Sequence, residues 1–267
     1  MLPAFYGTWL HLGRQLENHE GLPAFPEEPA GKLTLTEEFM DIQLHYVEQG
    51  SGFPLILLHG NGEHSGYFSH QIDYFQKKYH VYALDTRGHG ASPRGNAPFT
   101  LEQFALDLKD FMDEKGIKEA DILGFSDGGN VALLFALKHP GMVRRLILNG
   151  ADLFPGGVKR SVQIPIIIGY KMVSFFSLFN KKVITKKELL GLMVTQPSID
   201  PGSLSSLTMP VLVIAGTKDM IRLSHTQLIA RSIPDSKLSI LEGDHFIAAK
   251  NWEAFNRSVD TFLTERE

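Results

Sequence analysis

Ile122-Leu123-Gly124-Phe125-Ser126-Asp127-Gly128-Gly129 is the stretch on which the reading turns. Two apolar residues lead into a serine bracketed by glycines. The following Val131–Leu137 is apolar on every face and stops near Pro140. That is the pattern of a buried strand turning sharply into a buried helix. G-x-S-x-G alone is a weak pattern in a chain with 25 glycines, and an ordinary glycine-rich turn is the plainer alternative. The strand before it and the helix after it give the pattern its weight, because such a turn pushes a serine hydroxyl out beyond the sheet edge.

Working outward, Pro54–Leu58, Val81–Leu84, Leu146–Leu148 and Val211–Ala215 are short, continuous apolar runs. Strands covered on both faces look like this. Leu33 and Leu35, then Ile42, Leu44 and Tyr46, alternate with polar residues and read as an antiparallel hairpin. Leu101, Phe104, Ala105, Leu108, Phe111 and Met112 follow a helical stripe, with Thr100 and Gln103 as a capping box and Gly116 as the stop. Phe246–Leu263 reads as a closing amphipathic helix. The expected fold is α/β: a mostly parallel sheet of about eight strands, helices on both faces, and an antiparallel N-terminal hairpin.

From Ala151 to Thr208 the strand–helix rhythm lapses. This segment reads as a cap of short helices over the strand ends, inserted after the sixth strand. The expected organisation is therefore an extension over 1–30, a core over 31–150 and 209–267, and a cap over 151–208.

A serine nucleophile needs a base, and the base needs an orienting carboxylate. Asp219 follows Val211–Ala215 through Gly216-Thr217-Lys218, and His245 follows Leu238–Leu241 through Glu242-Gly243-Asp244. Both fall just past strand ends, where α/β sheets place their sites. Asp244 is the rival acid, but it adjoins His245 and reaches its ring poorly. His59-Gly60-Asn61-Gly62 follows another strand, so the N–H groups of Asn61 and Asp127 are the candidate oxyanion donors.

These motifs together resemble the α/β-hydrolase superfamily over about residues 31–267. His59–Gly62 resembles its oxyanion loop, Asp85-Thr86-Arg87-Gly88-His89-Gly90-Ala91-Ser92 its D-x-R-G-x-G-x-S turn, and Gly124–Gly129 its elbow. Ser126-Asp127-Gly128-Gly129 is similar to a subgroup that includes valacyclovir-hydrolase-like enzymes. The resemblance implies a carboxylesterase-like enzyme acting on a small acyl substrate, with Ser126 as nucleophile, His245 as base and Asp219 as acid. Alternatives are a carbon–carbon bond hydrolase or a cofactor-free perhydrolase with the same triad, or a binding protein on this fold. The side chain of Asp127 is a candidate partner for a substrate ammonium, or else a structural hydrogen-bond acceptor. Phe154, Phe175 and Phe176 are candidate apolar substrate contacts, or else the cap's own core.

Composition narrows the rest. Lys+Arg 26 against Asp+Glu 30 gives a formal net charge of −4, which argues against a nucleic-acid binder. Zero cysteines exclude a thiol nucleophile and thiolate metal sites and fit a cytoplasmic location. His64, His70, His80, His89, His139 and His225 lack metal-ligand spacing, and no P-loop or strand-linked G-x-G-x-x-G appears, so neither metal nor cofactor is expected. No secretory signal is evident at the start. Val162–Phe179 is the most apolar stretch, but Gln163, Pro165 and Lys171 make a spanning helix a poor reading, so no stable membrane insertion is expected. The cap's seven bases read as a solvated face, or as an attraction for anionic substrates or a membrane surface.

Overall fold

The computed structural model describes residues 41–265. Seven strands form one sheet: β1 (Tyr46–Gly50), β2 (Phe53–Leu58), β3 (Tyr79–Leu84), β4 (Ala120–Phe125), β5 (Val143–Asn149), β6 (Val211–Gly216) and β7 (Ser236–Leu241). Their order is β1-β3-β2-β4-β5-β6-β7, with β1 antiparallel to β3 and every other pairing parallel. The expected hairpin appears here as its later arm only. Ile42–His45 is not strand, β1 begins at Tyr46, and the Leu33–Leu35 arm lies outside the described residues, as does the 1–30 extension.

Strand period sorts the core into two layers. Ile56, Leu58, Ile122, Leu146 and Val213 face helices α2 (Leu101–Glu114), α3 (Asp127–Lys138) and α6 (Leu223–Ser232). Leu55, Leu57, Leu123, Ile147 and Ile214 face α1 (Ser69–Phe75) and α8 (Trp252–Thr264). The remaining helices are α4 (Arg160–Ser177) and α5 (Ile184–Thr195) between β5 and β6, and α7 (Ile247–Lys250).

Helix α2 starts and stops where its sequence says. The Thr100 hydroxyl accepts from Gln103 N–H at 3.1 Å, while the Gln103 side chain turns to Asp107 instead of closing the box. Gly116 takes φ +65, and Ile117 N–H reaches back to Met112 C=O at 2.8 Å, closing the helix end. The expected closing helix is instead two. Asn251 breaks it with φ −121 and ψ 45, and its side chain donates to Glu242 C=O at 2.9 Å. The segment after β5 also departs from expectation, since α4 is 18 residues long. No helix among the described residues is long and apolar enough to cross a membrane.

The sheet reverses direction at one point. From β2 the chain moves outward to β3, then crosses back to β4 on the other side of β2. Loops leaving the carboxyl ends of β2 and β4 therefore diverge, and an open α/β sheet forms its crevice there. Those loops carry His59–Gly62 and Ser126.

The turn after β3 is held by buried charge. Arg87 is 1% exposed and donates two bonds to Asp107, at 2.8 and 2.6 Å, with a further bond to Asp41. Asp85 accepts from Ser65 N–H at 2.7 Å and Ala91 N–H at 2.8 Å. Arg87→Leu strands the Asp107 carboxylate in the core, so urea melts should show a loss of roughly 3–5 kcal/mol. The double change with Asp107→Leu should recover most of it. Equal losses in the single and double variants would mean that packing, not charge, holds this turn.

Candidate active site

A single residue separates β4 from α3. Ser126 has φ 53 and ψ −123, and among the described residues it alone is a non-glycine with positive φ. Such a conformation costs about 1–3 kcal/mol and persists only where the surroundings impose it. Here they do. Ser126 N–H donates to Asn149 C=O at 2.8 Å, and its own carbonyl receives Gly129 N–H at 2.8 Å and Asn130 N–H at 3.1 Å. A Cβ on Gly124 would lie 2.3 Å from Gly128 O, and one on Gly128 would lie 2.1 Å from Leu58 O. The glycines let strand and helix meet while the serine side chain is turned outward.

The hydroxyl meets an imidazole. His245 Nε2 lies 3.0 Å from Ser126 Oγ, and His245 Nδ1 lies 2.7 Å from Asp219 Oδ1. Asp219 and His245 are 3% and 4% exposed. Asp219 Oδ1 also accepts Ile221 N–H at 2.9 Å, which fixes the carboxylate on its loop. That loop is pinned to the entry of the segment after β5 by Lys159 N–H to Met220 C=O at 2.9 Å and Arg222 N–H to Gly157 C=O at 3.0 Å. Gly150, at φ +62, leaves room for the ring, since a Cβ there would lie 2.7 Å from the imidazole. Asp244 faces away. It accepts Phe246 N–H at 2.9 Å and pairs with the Lys250 ammonium, which holds its carboxyl below the usual range.

The loop after β2 runs against the serine. A Cβ on Gly60 would lie 3.1 Å from Ser126 Cβ. His59 anchors this loop: its Nδ1–H donates to Gly60 C=O at 2.7 Å, and Nε2 accepts Thr86 N–H at 3.0 Å. Burial pushes its pKa down to about 4, so the neutral ring that this pairing needs is maintained. The Asn61 amide donates to Asp127 Oδ2 and to Leu189 C=O, both at 2.9 Å, joining loop, elbow and α5. Asp127 opens α3, so its N–H has no intrahelical acceptor.

Ser126, Asp127, Asp152, Val158, Met193, Gln196, Met220 and Ile221 line a cavity of about 280 Å³, open mouth included. Three expected substrate contacts are not among them. Phe154 packs edge-on against His225, with centroids 4.6 Å apart, and belongs to the core. Phe175 and Phe176 stand on the outer face of α4, 58% and 54% exposed, because the inner face of that helix is occupied by α5. They form neither a pocket roof nor a local core.

Sequence reasoning missed Asp152 and Asn130. Asn130 Nδ2 donates to Asp152 Oδ1 at 3.0 Å and approaches Asp127 Oδ1 at 3.5 Å, while Asp152 N–H donates to Asn130 Oδ1 at 2.9 Å. Burial raises both carboxyls, Asp152 to about 7. The available signal was position: Asp152 follows β5 through Gly150-Ala151, just past a strand end.

A carboxyl raised in the native state makes folding less favourable as pH climbs from its ordinary value of 3.8 to about 7. Asp152→Asn keeps the acceptor for Asn130 and removes the ionisation. Its melting temperature should therefore fall less than the wild type's between about pH 4 and pH 7. Parallel curves would show that Asp152 does not titrate in this window.

Comparison with known proteins agrees with this fold. The family profile for the alpha/beta hydrolase fold matches residues 54–165. The chain is 27% identical to 3-oxoadipate enol-lactonase 2 of Acinetobacter baylyi, over 87% of this chain and 96% of that protein. It is also 27% identical to the human serine hydrolase BPHL, over 83% of each. The crystal structure of the enol-lactonase from Burkholderia xenovorans LB400 superposes with a TM-score of 0.71 at 21% identity, covering 84% of this chain and 97% of that one. Sheet order, profile and relatives agree: the chain has the α/β-hydrolase fold, and the relatives it resembles along most of its length are hydrolases.

Proposed function

We propose that this hydrolase cleaves small carboxylic esters through an acyl-enzyme. The observation that carries the reading is the hydrogen-bonded line Asp219–His245–Ser126, with distances of 2.7 and 3.0 Å. Ser126 Oγ attacks the ester carbonyl as His245 Nε2 takes its proton. Asp219 holds the ring in the tautomer whose Nε2 is free and supports the imidazolium that forms. The backbone N–H groups of Asn61 and Asp127 receive the developing oxyanion. Collapse expels the alcohol, protonated by His245, and water then repeats the sequence to release the acid. Residues 151–208 act as the cap, residues 1–30 as an extension ahead of the core. An enol-lactone is an internal ester, so the resemblance to enol-lactonases supports this class.

Asp127, one position past the nucleophile, and Asp152 both line the cavity beside Ser126. An ammonium on the acyl group, near the scissile carbonyl, would offset the burial that raises these two acids and favour their charged forms. A charge-assisted contact in such a cleft is worth roughly 1.5–3 kcal/mol.

Two tests follow the mechanism. A fluorophosphonate should label one serine in the wild type and none in Ser126→Ala, which should lose on the order of 10⁴–10⁶ in kcat while its melting curve is unchanged. Asp219→Asn should lose on the order of 10⁴, whereas Asp244→Asn should stay within a few-fold. An unlabelled wild type would remove the acyl-enzyme.

Substrate choice has its own test. Asp127→Asn keeps the backbone donor and the shape. Aminoacyl p-nitrophenyl esters should lose about ten- to a hundredfold in kcat/KM, while simple acyl esters of the same size change little. Equal losses would assign Asp127 to the structure of the elbow, and no aminoacyl preference in the wild type would leave a general esterase.

A further inference from the structure

Helix α4 is built backwards for a soluble protein. Eight of the thirteen exposed large apolar side chains among the described residues lie between Ile164 and Ile184. Ile164, Ile168, Met172, Phe175, Phe176 and Phe179 recur at helical spacing and so share one outward stripe. Phe175 packs edge-on against both Phe176 and Phe179, with centroids 5.6 Å apart in each pair, so the stripe ends in an aromatic cluster. Phe179 is 77% exposed. The opposite face is engaged: Gln163 is buried and donates to Met193 C=O on α5 at 3.0 Å. Scattered exposed apolar residues mean little, but a contiguous stripe of this kind marks an interaction site.

Charge identifies the occupant. Between Leu153 and Ile199 there are seven Lys or Arg residues and one acid, in a chain whose formal net charge is −4. The one acid, Glu188, is paired with Arg94 at 2.7 Å. Lys171 lies within the stripe, and the exposed Lys181, Lys182 and Lys186 follow its aromatic end. Two copies meeting through this face would bring two cationic segments together, so like charge opposes self-association. An apolar face rimmed by lysines instead suits the interface of an anionic bilayer, where rings enter among the acyl chains and ammonium groups meet lipid phosphates and carboxylates.

We propose that the outer face of α4, with the lysines after it, is a reversible docking surface for an anionic lipid bilayer. The helix lies in the interface plane and does not span it. The opposite face of α4 packs on α5, whose Met193 lines the cleft.

The test is co-sedimentation of the full chain with phosphatidylcholine vesicles, with and without about one third phosphatidylserine, at low and raised salt. Binding should be at least about tenfold stronger with phosphatidylserine and weaken as salt rises. The triple change Phe175→Ser, Phe176→Ser and Phe179→Ser, and separately Lys181→Glu, Lys182→Glu and Lys186→Glu, should each lower it about tenfold. All six positions are exposed, and an unchanged melting curve confirms folding in each variant. Equal binding to both vesicle types overturns the proposal. So does binding that survives the phenylalanine changes, which would mark a purely electrostatic surface suited to an acidic protein. A concentration-dependent dimer abolished by those same changes, without vesicle binding, would assign the face to a second copy.

Discussion

Everything at the site depends on one close approach: Gly128 at the start of α3 lies against the end of β2, where a Cβ would fall 2.1 Å from Leu58 O and 2.4 Å from His59 O. Nothing larger than glycine lets helix and strand come this close. The contact does two things at once. It holds Ser126 in a conformation that no other described non-glycine residue adopts, and it brings the His59–Gly62 loop beside it. The strain at the serine and the nearness of the His59–Gly62 loop are one geometric fact. The reversal of strand order between β2 and β4 makes it available, because there two neighbouring strand ends send their chains away from each other.

The segment between β5 and β6 is fastened to that centre by burial and by polar bonds: Leu153, Leu192, Ile199, Leu204 and Leu207 join the main core. Asn61 reaches Leu189 C=O on α5, Arg94 pairs with Glu188 at 2.7 Å, and Gln196 accepts Leu101 N–H at 2.8 Å. Of α4, only Gln163 is fully buried. Helix α4 adds no buried apolar side chain to the core. It also leaves an apolar face for something other than the core.

Buried titratable groups around the cleft divide by role. His59 and His225 are both driven down to about 4 by burial, and each accepts a backbone N–H through Nε2, from Thr86 and Leu153 respectively. They are neutral fasteners. Asp152 is driven up to about 7 in the wall of the cleft. It stands beside Asp127, which burial also raises, and Asn130 bridges the two.

The amino-acid order determined what consecutive residues can encode. Continuous apolar runs marked β2 to β6, and the glycines flanking Ser126 announced a turn before any contact was known. Asp219 and His245 were legible because both follow strands, and parallel strands deliver their ends to one edge. Tertiary structure decided what depends on the angle between distant segments. It turned Asp219, and not the adjacent Asp244, onto the ring of His245. It gathered Asp127, Asn130 and Asp152, which no spacing rule connects. It sent Phe154 into the core and Phe175 and Phe176 into solvent, although all three are the same residue type. Residue type sets only the free energy of burying a ring. Whether another element lies over that ring is settled by how α4 packs on α5, and the sequence of α4 does not contain that information.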